Sequence, residues 1–280
     1  MIDPIRLGIF GWPVAHSRSP RMHEAAARAL GIDLRYERFE VAPDHLTRAV
    51  RNKHAEGIDG YNLTVPHKQT IMALLDDVAS SARAIGAVNT VIRAGEDYVG
   101  HNTDAPGLVR ALEEAGVEVN EARIVVLGAG GAARAAVVGL SDAGASRVTV
   151  LCRRREQGRA LVSSLRAHVE CDLAFAPLGD AAEHFEGATV LVQATSATLE
   201  SSPGAREFAA SLPIDALPAD AAVLDMVYQP LKTAVLERAA DRGLLAVNGL
   251  GMLLHQGAIA FEMWTGFEPP LEVMRAALRD

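Results

Sequence analysis

This 280-residue sequence predicts a two-lobed α/β fold, and three observations carry that expectation. Apolar strand-like runs alternate with amphipathic helical runs almost from end to end, which is the pattern of parallel α/β architecture. In mid-chain a glycine-rich turn, 128–133, stands between an apolar run and a helical one, as in a doubly wound lobe. The length, at roughly 150 residues per domain, corresponds to two domains.

With 49% hydrophobic and 22% charged residues the chain has material for a substantial core, which excludes a disordered or fibrous protein. The net charge of −8 argues against general binding to nucleic acid or to an anionic membrane. No apolar run approaches the ~20 residues needed to span a bilayer. The opening MIDPIRLGIFGWPVAHS lacks the basic start and apolar stretch of a secretory signal, so a cytoplasmic location is expected. Two cysteines, Cys152 and Cys171, form neither a disulfide framework nor a CxxC pair. The nine histidines fall into no HExxH or comparable spacing, and no metal is expected.

In chain order the strands are read at 6–10, 35–41, 60–64, 123–128, 147–152, 188–194, 221–227 and 244–247. A helix is read over 20–30 and closed by Gly31, and another over 231–242 and closed by Gly243, because glycine tolerates the left-handed conformation that ends helices. The segment 103–116 reads as a helix joining two lobes, with Asp104 near its cap and Pro106 near its first turn. The stretch SATLESSPGA, 196–205, reads as a polar loop.

RIVVLGAGGAARAAVVGLSDAG runs strand, turn, helix, with Gly128, Gly130 and Ala133 in the G-x-G-x-x-A positions. The first glycine permits the tight turn, the second lets a pyrophosphate approach the backbone, and the alanine permits close helix packing. The next strand ends RVTVLCRRR. An NAD site usually places an acidic residue there to hold the ribose 2′-hydroxyl, whereas Arg153 and Arg154 suit a 2′-phosphate, so the cofactor indicated is NADP. Cys152 reads as a small buried hydrophobe.

In the N-terminal half, Ser19 followed by Pro20 reads first as a helix start, with Ser19 as the cap. Ser17 and Ser19 also set two hydroxyls beside the positive end of that helix, a seat for a carboxylate. GYNLTVPHK, 60–68, is expected to lead from a strand into a helix whose first turn carries Lys68. A lysine there opposes the helix dipole by ~0.3–1 kcal/mol, a placement against local preference that hints at function. Asp104 suits its own helix start and could pair with a lysine.

These residues resemble the shikimate dehydrogenase family. The resemblance runs in order through HSRSP from His16, NLTVPHK from Asn62, GAVNT from Gly86, NTDAPG from Asn102, GAGGAARA from Gly128, DMVYQP from Asp225 and GLGMLLHQGAIAFEMW from Gly249. It implies NADP-dependent, reversible reduction of 3-dehydroshikimate to shikimate, with Lys68 and Asp104 as the catalytic pair. It further implies that Ser17 and Ser19 bind the substrate carboxylate and that Thr64, Asn89, Asp104 and Gln256 hold ring hydroxyls, with Tyr228 lining the site. Gly128, Gly130, Gly131, Ala132 and Ala133 match the phosphate loop, Arg153 matches an arginine beside the 2′-phosphate, and Met226 and Gly249 lie in blocks that border the nicotinamide.

The domains implied are an N-terminal α/β substrate-binding lobe, 1–105 plus 247–280, and a doubly wound Rossmann NADP-binding lobe, 106–246. The expected partner is a small-molecule substrate, with no nucleic acid and no membrane, and a homodimer is left open. Two departures stand out. Family members commonly show AsnArgThr where this chain has Cys152, Arg153, Arg154, and their later arginine falls on Gln157, so Arg154 is read as replacing that charge. The usual AsnAlaThr block followed by glycine is here Gln193, Ala194, Thr195, Ser196, Ala197, Thr198. His16, His67 and His255 are read as packing or rim residues and given no proton-transfer role. The helix bearing Met252, Leu253, Phe261 and Trp264 is read as burying one face, with Gln256 its polar exception. A quinate-oxidising paralogue using NAD or NADP, and a ligand-sensing homologue without catalysis, remain the alternatives.

Overall fold

The computed structural model describes residues 3–279 and divides into two units, 3–103 with 254–279 and, separately, 104–253. In chain order the first unit contains β1 (Ile5–Gly11), α1 (Ser19–Ala29), β2 (Leu34–Glu40), α2 (Leu46–Ala55), β3 (Gly60–Leu63), β4 (Asp77–Val78), α3 (Ser80–Ile85), β5 (Thr90–Ala94) and β6 (Asp97–His101). Its six-stranded sheet has the order β2-β1-β3-β5-β6-β4. β1 runs parallel to β2 and β3, and the helices between them supply the crossovers that parallel pairing demands.

The rest of that sheet is mixed. β5 is antiparallel to both β3 and β6, and β4 lies parallel to β6. None of β4, β5 and β6 was anticipated from the sequence. The connection between β5 and β6 is Gly95 and Glu96, too short for anything but an antiparallel return. Their partly exposed residues lack the continuous apolar runs that mark fully covered parallel strands. The core of this unit gathers Phe10, Leu46, Tyr61, Ile71 and Val91. The Phe10 ring meets that of Tyr61 edge-on at 5.1 Å, and each such buried apolar side chain contributes about 1.5–3 kcal/mol.

The second unit continues with α4 (Asp104–Glu114), β7 (Arg123–Leu127), α5 (Gly131–Asp142), β8 (Arg147–Cys152), α6 (Arg155–Leu165), β9 (Asp172–Pro177) and α7 (Ala181–Phe185). Then follow β10 (Val190–Gln193), α8 (Ala205–Ser211), β11 (Ala222–Asp225), α9 (Ala234–Asp241) and β12 (Leu245–Val247); α10 (Leu250–Thr265) begins in this unit but from Leu254 belongs to the first, as does α11 (Leu271–Arg279), which closes the described chain. All six strands are parallel in the order β12-β11-β10-β7-β8-β9. Chain order therefore reverses between β7 and β10, the place where doubly wound sheets bind dinucleotides at their carboxyl ends.

β9 is an edge strand that the sequence reading missed, and its DLAFAP sequence includes half-buried positions. The helix expected over 231–242 is shorter, because Thr233 caps it by accepting from the Leu236 amide at 3.3 Å. The sequence reading divided the chain at 105/106 and 246/247, whereas the two units meet in the chain at 103/104 and 253/254. Among the described residues no helix is long and apolar enough to cross a membrane.

Candidate active site

In the first unit the polar residues singled out from the sequence cluster at the carboxyl ends of β1 and β3 and on α10. Ser17 and Ser19 are both buried, but Ser19 is not the helix cap expected of it. Arg18 occupies that position and Ser19 begins the helix, while Ser17 Oγ accepts from the Ser19 amide at 3.3 Å. With Pro20 next and its nitrogen lacking a hydrogen, the first turn leaves little need for a side-chain cap at Ser19.

Lys68 also departs from expectation. It lies not in the first turn of a helix but in successive turns over 65–69, followed by a 3-10 stretch, Thr70–Leu74. The ring of Pro66 steers Val65 away from helical angles, and the His67 amide then closes back on the Thr64 carbonyl at 2.9 Å. No helix dipole opposes Lys68 at this position. The turn is held instead by the Lys68 carbonyl, which accepts from the Val88 amide at 2.7 Å and so ties it to the segment leading into Asn89.

Asn89 is the hub of a buried network. Its amide donates to Thr103 Oγ1 at 2.9 Å and to Gln256 Oε1 at 3.2 Å, and its Oδ1 accepts from the Thr103 amide at 2.7 Å. Thr90 Oγ1 adds a donor to Asn89 Oδ1 at 3.1 Å. Asn62 joins from β3, donating to the Asn89 carbonyl and to Thr90 Oγ1, both at 3.0 Å, and accepting from the Tyr36 hydroxyl at 2.6 Å. Asn62, Thr90 and Thr103 were not singled out from the sequence. Their only signal there was membership of the blocks that contain Thr64, Asn89 and Asp104. Burial lowers the pKa of His67, whose Nε2 pairs with the Val41 carbonyl at 2.8 Å, so its ring stays neutral and serves packing.

In the second unit Asp104 is buried and is the first residue of α4, where the helix's positive end favours a carboxylate. The loop after β7 has Gly128 at φ 119°, a backbone conformation that a side chain would strain. Gly130 caps α5, and a Cβ built on it would meet open space, so its backbone is accessible to a ligand. Gly131 and Ala132 open the helix and present its unpaired N–H groups, while Ala133 packs inward, fully buried. Arg153 and Arg154 are exposed just past the end of β8, with Arg154 at the cap of α6. A glycine turn with open space at Gly130, a helix N-terminus and two exposed guanidiniums fit the diphosphate and 2′-phosphate of NADP. Cys152 is buried and its thiol pKa is pushed up by that burial, which suits packing rather than reactivity.

Met226 and Tyr228 follow the end of β11, and Gly249 comes close to them: its amide donates to the Val227 carbonyl at 3.2 Å, and a Cβ on it would fall onto the Met226 carbonyl. Beneath this loop lies Asp225, a fully buried carboxylate.

Comparisons with known proteins agree along the chain. Residues 9–91 match the shikimate dehydrogenase substrate binding domain, 110–202 match shikimate / quinate 5-dehydrogenase, and 249–279 match the shikimate 5′-dehydrogenase C-terminal domain. A shikimate dehydrogenase (NADP(+)) of Symbiobacterium thermophilum is 43% identical over 274 residues, covering 97% of this chain and 92% of that protein. The crystal structure of shikimate dehydrogenase from Aquifex aeolicus covers 100% of both chains at 34% identity and a TM-score of 0.88. That of Thermus thermophilus shikimate 5-dehydrogenase, in complex with NADP(H) and shikimate, covers 98% of both chains at 38% identity and a TM-score of 0.84.

Proposed function

The chain belongs to the shikimate dehydrogenase family, and we propose that it catalyses the reversible, NADP-dependent reduction of 3-dehydroshikimate to shikimate. The observation that carries this reading is similarity to NADP(+)-dependent shikimate dehydrogenases over 97% of the chain. The activity is that of an oxidoreductase in the synthesis of aromatic compounds.

Bound NADPH supplies the hydride. Lys68 donates a proton to the ring ketone oxygen as negative charge develops there, and takes it back in the oxidative direction. Asp104 orients the ammonium and accepts a hydrogen bond from a neighbouring ring hydroxyl. Ser17 and Ser19 bind the substrate carboxylate, Thr64, Asn89 and Gln256 hold ring hydroxyls, and Tyr228 lines the site. Supporting these roles is the network around Asn89, which fixes the side chains of Asn89 and Gln256 before any ligand arrives.

The backbone of Gly128, Gly130, Gly131, Ala132 and Ala133 holds the diphosphate, Arg153 and Arg154 hold the 2′-phosphate, and Met226 and Gly249 border the nicotinamide. Initial rates of shikimate oxidation with NADP and with NAD, beside quinate as control, test the assignment. A higher kcat/KM for shikimate with NADP is expected. A preference for quinate with NAD would make the protein a paralogue of different specificity, and binding without turnover would make it a sensor.

The exposed pair Arg153 and Arg154 yields a separate expectation. Each charged hydrogen bond to a phosphate is worth ~1.5–3 kcal/mol, so the double alanine variant should weaken NADPH relative to NADH by about one to two powers of ten. Titration of both reduced cofactors by their fluorescence measures this. An unchanged ratio would show that the 2′-phosphate is read by other residues.

A further inference from the structure

At the carboxyl ends of β10 and β11, Gln193 and Asp225 are register partners on adjacent parallel strands. The buried Asp225 carboxylate accepts from four donors. Its Oδ1 takes the Val227 amide at 3.0 Å, the Thr198 hydroxyl at 3.2 Å and the Gln193 side-chain amide at 3.2 Å, and its Oδ2 takes the Thr233 hydroxyl at 2.7 Å. Gln193 extends the cluster, donating to Thr198 Oγ1 at 2.8 Å and to the Thr195 carbonyl at 3.0 Å and accepting from the Thr195 amide at 2.6 Å.

None of these partners is a cation. Burial pushes the Asp225 carboxyl up to about 6, against the pull of its four hydrogen bonds, so it is largely charged near pH 8. An anion buried without a countercharge costs stability that a neutral residue would spare. What it provides is geometry. A carboxylate is an acceptor only, with two oxygens, and can gather four donors, whereas an asparagine would turn an N–H toward one of them.

The donors come from three segments: the end of β10 with the loop after it, the loop after β11, and the cap of α9. The first of these loops abuts the phosphate turn, because a Cβ on Gly128 would lie 3.0 Å from Thr195 Cγ2. The second carries Met226, whose carbonyl is packed against Gly249. Asp225 thus stands where the loops on both sides of the expected nicotinamide position are joined, at the carboxyl end of β11, one strand away from the point where strand order reverses.

We infer that Asp225 is a positioning residue for hydride transfer, clasping the loops 194–198 and 226–228 into the shape that receives the nicotinamide end of the cofactor. Gln193, the departure from the usual asparagine, is part of the clasp. The inference rests on the NADP-linked activity proposed above.

The test uses the full chain with Asp225→Asn and, separately, Thr198→Val, which removes one donor and keeps a branched side chain. Three quantities are measured: kcat with shikimate and NADP, the Kd of NADPH by fluorescence, and hydrogen exchange of the two loops without cofactor. Misplacement by about 1 Å can cost ~10²-fold in rate, so kcat should fall about 10- to 100-fold in Asp225→Asn and less in Thr198→Val. The Kd of NADPH should change by less than about fivefold, since the phosphate loop and the arginines are untouched. Amides of 194–198 and 226–228 should exchange about tenfold faster or more, while α5 exchanges as in the wild type.

Folded variants with wild-type kcat and loop exchange would overturn the inference, as would lost turnover without any loosening of the loops. Should Asp225→Asn fail to fold, Thr198→Val decides by the same readouts. A wild-type protein inactive on shikimate would instead sink the functional reading, and loop exchange would still report on the clasp.

Discussion

Lys68→Ala should lower shikimate turnover by roughly 10²- to 10⁴-fold, the usual weight of a positioned acid–base group. The Kd of NADPH should stay within about threefold of the wild type, because the residues proposed to hold its phosphates belong to the other unit. Truncation is a fair test here. The structural contact that Lys68 makes with Val88 runs through its main-chain carbonyl, which alanine retains. Lys68 is itself half-buried rather than part of the core, so the turn over 65–69 should survive the change. The loss should fall mainly on kcat if the ammonium acts on developing charge, and mainly on KM if it only binds substrate. Near-normal turnover by a folded variant would remove Lys68 from the mechanism and with it the role given to Asp104.

The backbone around Lys68 departs from the helix start expected from the sequence. Which residue occupies the block was legible, because side-chain identity is written in the sequence. Local conformation was not, since Pro66 and the pairing of the turn with the Val88 segment redirect the chain in a way that apolar periodicity does not register. The same limit hid β5 and β6. Parallel strands such as β7, β8 and β10 carry continuous apolar runs and were found, whereas a short hairpin with one face partly open has no such run.

The glycine turn read as a phosphate loop was legible because its pattern is local: a strand, a tight turn and a helix start, all within neighbouring residues. The network around Asn89 is not local. Gln256 meets Asn89 across 167 residues of chain, and no spacing rule connects them. Asp225 illustrates a third case. Its charge was visible, but its full burial and its four donors depend on three segments coming together: Gln193 at the end of β10 with Thr198 after it, Val227 after β11, and Thr233 at the cap of α9.

His23, on the buried face of α1, should make the first unit lose about 2 kcal/mol of stability between pH 7.5 and pH 5, a loss that His23→Phe abolishes. Its ring is fully buried, stacked on Tyr36 at 4.9 Å, parallel to Phe261 at 6.2 Å and edge-on to Trp264 at 5.3 Å. Neither ring nitrogen has a hydrogen-bond partner among the described residues. Its ring neighbours among the described residues are those three aromatic side chains, with Gly257 nearby, and none of them is an anion that would pair with an imidazolium. Burial accordingly lowers its pKa from 6.5 to about 3.

The sign follows from proton binding. Between those two values the unfolded chain takes up a proton that the folded chain refuses, so acid favours unfolding. The contribution is complete above the unfolded pKa and is lost as pH falls toward the folded one. At pH 5, about 1.5 units below the unfolded value, it amounts to the ~2 kcal/mol stated. Both tryptophans, Trp12 and Trp264, lie in the first unit, so their fluorescence reports its unfolding. With urea slopes of ~1–3 kcal/mol per molar, the wild-type midpoint should drop by about 1 M more than that of His23→Phe between the two pH values. Comparing each protein with itself cancels any fixed packing cost of the larger phenyl ring. An equal acid-induced drop in both proteins would mean that the folded state accommodates a charged His23, contrary to its sealed surroundings.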